Sequence, residues 1–180
     1  MNDIFSKYYT RNLLIVTAII TLIVFFSLRT FDGPLHNSVA PGGIVSFEFS
    51  KDFDSAKDII NSWDDNAKLN AGLSLGIDYL FLVAYSLFFS ISIYLISKRF
   101  QYKFALLRKI GVTLATLILV AALCDAIENF ALIKLLIGSQ NTIFPPIAYY
   151  FASIKFIILG IGIIYILIGL IFNLLIRTNE

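Results

Sequence analysis

The sequence predicts an all-α membrane protein: a bundle of four transmembrane helices with one long, partly ordered outer loop. Three observations predict it. Of the 180 residues, 58% are hydrophobic and 14% charged, too few charges for a soluble domain of this size to cover its apolar surface. The apolar residues fall into four separate stretches, and about 20 helical residues cross a hydrocarbon core of about 30 Å. Finally, the charges between the stretches are sorted by sign, as topology rules require. One domain covers 1–180, with spans expected at about 11–30, 73–97, 107–136 and 144–176.

The first span follows Lys7 and Arg11. Residues 29–32 carry no small-residue cleavage pattern, so it is expected to be a retained helix rather than a signal peptide. The loop after it, 31–71, is rich in acids: from Arg29 to Ala71 there are Asp32, Glu48, Asp52, Asp54, Asp58, Asp64 and Asp65 against four bases. Pro34, Pro41, Gly42 and Gly43 mark turns. The β-branched and aromatic run from Gly43 to Phe49 predicts a short extended segment. Asp52 or Asp54 then caps a helix whose apolar stripe is Phe53, Ala56, Ile59, Ile60 and Trp63. This amphipathic helix is expected to lie on the membrane surface with Trp63 at the headgroups, or to pack on the ends of the spans.

The second and third spans are joined by 98–109, which carries Lys98, Arg99, Lys103, Arg108 and Lys109 and no acid. The positive-inside rule places this loop in the cytoplasm, hence both termini there and the long loop outside. In the fourth span, Pro145 and Pro146 sit in the first turn, where proline is tolerated. Gly160, Gly162 and Gly169 are expected to let a neighbouring helix approach.

Within these spans a few polar residues stand out. Asp125, Glu128 and Asn129, at i, i+3 and i+4, share one face of the third helix. Ser74, Asp78 and Tyr85 share a face of the second, with Ser86 and Ser90 nearby, and Lys155 lies on the fourth beside Tyr149, Tyr150 and Ser153. Counting about 20 residues from the cytoplasmic end of each span brings Asp78, Asp125, Glu128 and Lys155 to one depth, toward the outer leaflet. A buried polar cluster with Lys155 as countercharge follows. With three carboxylates for one ammonium, at least one acid is expected to be protonated or to face water or a cation.

Three readings of the cluster stay open. It is a clamp that sets helix register; or a binding site for a lipid, headgroup or ion; or an acid/base pair acting on a lipid or isoprenoid substrate. The leading expectation is a binding or accessory subunit of a membrane complex. The alternatives are an intramembrane enzyme and a small proton- or ion-coupled transporter. Membrane lipid is the expected partner, alongside a membrane-protein partner or a second copy. No cofactor is expected. Cys124 is the single cysteine and His36 the single histidine, too few ligands for a Cys- or His-based metal centre. No basic patch with interleaved aromatics points to nucleic acid. No nucleophile elbow, zinc-protease or phosphate-loop motif occurs.

Pro41-Gly-Gly-Ile-Val-Ser-Phe-Glu48, Trp63, Leu75-Gly-Ile-Asp-Tyr-Leu-Phe81 with Tyr85, and Asp125-Ala-Ile-Glu-Asn129 together resemble a functionally uncharacterised family of small bacterial four-span membrane proteins. The resemblance covers most of the chain and implies the fold and a place in the inner (plasma) membrane of a bacterium, but no activity. The Asp-x-x-Glu-Asn motif is also similar to sterol-isomerase-like four-span proteins. Those use a membrane histidine and tryptophan, which the spans here lack.

Overall fold

The computed structural model describes residues 2–100 and 104–177, and the side chains of 10–100 and 104–172. The chain runs α1 (Asn2–Asp32), a 3-10 turn (Gly33–Leu35), α2 (Ile44–Glu48), α3 (Phe53–Ser62), α4 (Asp65–Arg99), α5 (Ala105–Leu136) and α6 (Phe144–Arg177). No strand occurs among the described residues. Four helices, α1, α4, α5 and α6, are long and apolar enough to cross a membrane, and the chain is a multi-pass membrane protein. Lys103 and the side chains of Lys7 and Arg177, three of the bases behind the expected topology, lie outside what is described.

The bundle is open on one side. α4 packs along α5, α5 along α6, and α6 returns a shorter contact to α4, while α1 packs against α4. Among the described residues, no comparable contact joins α1 to α5 or α6. Glycines set the tight crossings. A Cβ on Gly162 would come within 3.0 Å of Ile118 and 3.2 Å of Ile93. One on Gly169 would overlap Ile96, and one on Gly111 would overlap the Tyr165 hydroxyl. Gly160 has open space around it, so two of the three glycines expected at crossings on α6 lie at one.

Residues 33–64 form an ordered cap on one end of the bundle, shorter than the expected 31–71. The Asp64 carboxylate accepts the Ala67 N–H at 2.7 Å. This N-cap starts α4 at Asp65, eight residues before the apolar stretch begins. Asp52 caps α3 in the same way through the Ser55 N–H at 2.8 Å, and these hydrogen bonds hold its carboxyl below the usual range. The apolar stripe of α3 is as expected, but Trp63 is not at a headgroup surface. It is 2% exposed, packs edge-on against Phe47 at 5.5 Å, and donates its indole N–H to the Leu35 carbonyl at 2.9 Å. Packing against Leu35, Phe47, Ala67, Leu132 and Ala148 buries more apolar surface than an interface would.

The run expected to be extended is instead the single-turn helix α2. Gly43 enters it at φ +58°, and the Ile44 N–H at its start is taken by the Asp32 carboxylate at 3.0 Å. The turn is thus specified by a residue twelve positions away, which local propensity does not register. His36 closes the same joint through Asp32 at 2.9 Å and the Pro41 carbonyl at 2.8 Å. The Asp32 hydrogen bond, then the Pro41 one, raises the pKa of the imidazole. A Cβ on Gly43 would overlap Asp32 and come within 2.8 Å of His36 Nε2. Gly43→Ala is therefore expected to cost about 1–3 kcal/mol, from the positive φ and the lost Asp32 contact. Limited proteolysis in 36–52 should accelerate; an unchanged cleavage rate would show that this joint does not hold the cap.

Candidate functional site

The polar residues within the spans converge between two apolar layers. On the cap side lie Leu75, Ala131 and Ala148. On the other side lie Leu82, Tyr85 and Ala122, followed by Ile93, Ile118 and Tyr165. A heptad-like walk along α4 and α5 leaves Asp78, Asp125, Glu128 and Asn129 facing inward at the level between them. Lys155 reaches the same level from α6.

Lys155 is the centre. Its Nζ donates to Asp125 Oδ1 at 2.9 Å and to Glu128 Oε1 at 3.0 Å. Glu128 Oε2 is 2.8 Å away as well, but off the direction of a hydrogen bond, and it has no other partner among the described residues. The Tyr85 hydroxyl donates to Asp125 Oδ2 at 2.9 Å. Asn129 donates its amide to Asp78 Oδ2, joining α5 to α4. Glu128 and Asn129 are 0% and 1% exposed, so this is an interior network rather than a surface one.

Glu48 enters from the cap. It was expected in the outer loop, yet α2 inserts its side chain into the cluster, 3.8 Å from Lys155 Nζ. Its Oε2 is buried with no hydrogen-bond partner among the described residues. Burial holds the Glu48 carboxyl above its usual range, opposed by the attraction of Lys155 and aided by the charge of Asp125. Three carboxyls therefore surround one ammonium, with Asp78 beside them on Asn129. At low effective dielectric they cannot all be ionised without a proton, water or a further cation. The chain has one sequence signal for this: Glu48 is the lone acid in the apolar run from Ile44 to Phe49.

A cavity of about 220 Å³ adjoins the cluster. Asp78, Asn129, Glu48, Lys155, Ser74 and Tyr85 form its polar end. Phe25 and Leu28 of α1 line one side and Phe156 and Leu159 of α6 the other, with Val45 of α2 above. Arg29, whose side chain is 66% exposed, stands at the rim 3.5 Å from Asp32. Residue-by-residue reading of the spans finds the polar end but misses these walls. One of them comes from α1, which carries no charged residue inside its apolar stretch pointing to the site.

The other candidates fall elsewhere. His36 belongs to the cap joint and Trp63 to the cap core. Tyr149 and Tyr150 face Lys51, at 5.4 and 5.9 Å from ring centre to Nζ. Ser153 bonds back to Tyr149 within α6, Ser86 to Val83 within α4, and Ser90 reaches the Ala115 carbonyl. Comparison with protein-family models, curated proteins and solved structures finds no match.

Proposed function

We propose that the chain is a binding or accessory subunit of the bacterial inner membrane that takes a membrane lipid at the Lys155 centre. In this reading the cap lies on the outer face and both termini are cytoplasmic, as the acid-rich 33–64 segment and the basic turn around Lys98, Arg99, Arg108 and Lys109 favour. The observation that carries it is the pairing of a cavity with two carboxyls in its lining, Asp78 and Glu48, that no cation among the described residues holds in a hydrogen bond. A clamp that only sets helix register would bring the carboxyls together without leaving space beside them. Buried polar groups without partners are costly, and a ligand that donates hydrogen bonds would remove that cost.

Val45 tests this. It borders the cavity and is itself 43% exposed, so Val45→Trp fills the space without entering the packed core. Lipid retained per chain after purification in mild detergent should fall about tenfold, equivalent to losing about 1.4 kcal/mol of binding. The melting temperature should stay within about 2 °C, as for other exposed substitutions. Undiminished lipid would contradict the assignment. A second reading, acid/base chemistry on the bound lipid, is favoured by the approach of Glu48 to Lys155 and Glu128. It predicts a change in mass of the retained lipid during incubation, lost in Glu48→Gln.

A further inference from the structure

The cavity faces the missing contact of the bundle. α1 packs on α4 and not on α6 among the described residues, and the cavity walls are the facing side chains of those two helices. Phe25 and Phe156 are each 43% exposed, so the walls run out to the surface that the hydrocarbon covers. A ligand can thus come sideways from the bilayer without crossing the cap. Its lining is polar at one end, around Asp78, Asn129 and Glu48, and apolar along the walls, which suits a charged head group with acyl chains left on the walls.

The unused hydrogen-bonding capacity defines the head group. Asp125 is taken by Lys155 and Tyr85, and Glu128 by Lys155. Asp78 receives Asn129 on Oδ2 and no hydrogen bond on Oδ1 from the described residues. Glu48 has no N–H donor within hydrogen-bonding distance among the described residues, Lys155 being 3.8 Å away, and its Oε2 is enclosed, which leaves Oε1 to the cavity. The polar end therefore presents acceptors with negative charge in excess, and its own ammonium is already engaged. A primary ammonium supplies three N–H donors and the missing positive charge. A quaternary ammonium supplies charge without donors, and a hydroxyl head supplies donors without charge. At the rim, the Arg29 guanidinium is exposed and reaches the buried Asp32 carboxylate at 3.5 Å, its one ion pair among the described residues. Its planar guanidinium matches a phosphate.

We infer that the cavity takes the head group of a phospholipid ending in a primary ammonium, admitted between α1 and α6, with the ammonium on Asp78 and Glu48 and the phosphate on Arg29. This rests on the lipid-binding reading above and adds to it the route and the head-group chemistry. The two acyl chains then lie over Phe25 and Leu28 and over Phe156 and Leu159.

The test uses the full chain in detergent with equimolar dioleoyl phosphatidylethanolamine, its mono- and dimethyl derivatives, phosphatidylcholine and phosphatidylglycerol, with retained lipid counted by native mass spectrometry. Phosphatidylethanolamine should be retained about tenfold over phosphatidylcholine and phosphatidylglycerol, as one charge-assisted hydrogen bond implies, and retention should fall with each added methyl. Asp78→Asn, or Glu48→Gln should that variant fold poorly, should reduce the discrimination over phosphatidylcholine to within about twofold while a lipid is still held. Arg29→Gln should lower retention of all five. Equal retention of all lipids, or a preference for phosphatidylglycerol, would overturn the head-group assignment and leave lipid binding standing. No lipid retained from any mixture would overturn both. The methylation series depends on no variant, so the assignment is decided even if the substitutions disturb folding.

Discussion

Lys155→Met should destabilise the protein by on the order of 3–5 kcal/mol, the range for breaking a buried ion pair by removing one partner. Lys155 is 6% exposed and is the only cation in hydrogen-bonding contact with Asp125 and Glu128 among the described residues. Removing it strands two carboxyls on α5 and leaves Glu48 without its nearest positive charge. Methionine keeps the length of the side chain, so the loss is electrostatic more than steric. A thermal melt in detergent would read it as a large fall in midpoint. Adding Asp125→Asn and Glu128→Gln should recover part of the loss, because carboxamides need no countercharge. A Lys155→Met protein that melts with the wild type would show the four carboxyls to be satisfied without the ammonium.

Trp63→Ala should be the second large effect, costing about 3–5 kcal/mol, the usual range for truncating a buried aromatic. The indole fills the centre of the cap core against Phe47, and without it the Leu35 carbonyl loses its donor. Trp63→Phe keeps most of the packing and gives up the hydrogen bond, so about 1 kcal/mol is expected. The consequence reaches the site, because Phe47 and Glu48 are neighbours on the same short helix. Loosening Phe47 should withdraw Glu48 from Lys155, and Trp63→Ala should lose retained lipid as well as stability. If stability falls and lipid retention per folded chain does not, the cap is independent of the cavity.

These two residues also show what was legible in the sequence and what was not. Lys155 is readable because a charge inside an apolar stretch is conspicuous, and counting residues back from the cytoplasmic end of its span gives its depth. The same count placed Asp78, Asp125 and Glu128, and the i, i+3, i+4 spacing placed Asn129 with them. The four long helices were legible for the same reason: composition over about 20 residues is a strong signal. The cap was harder. The stripe and cap of α3 were visible, but a pattern of Phe53, Ala56, Ile59, Ile60 and Trp63 does not say whether lipid or protein covers it. The structure has protein cover it, through Leu35 and α5. α2 is not legible locally, because Ile44, Val45 and Phe47 favour strands, whereas Gly43's positive φ and the Asp32 contact come from the fold. Glu48 went with it, the residue whose position depends most on tertiary structure. The open seam between α1 and α6 leaves no trace in either apolar stretch, since lipid-facing and cavity-facing positions there use the same residue types.

The central claim is that the Lys155 cluster opens sideways onto a lipid head group. A density map of the full chain in a nanodisc of mixed phosphatidylethanolamine and phosphatidylglycerol tests it most directly. Elongated density is expected between Phe25 and Phe156, ending within hydrogen-bonding distance of Asp78 and Glu48. A map with α1 closed onto α6, and the carboxyls sealed around Lys155 with no space beside them, would contradict it.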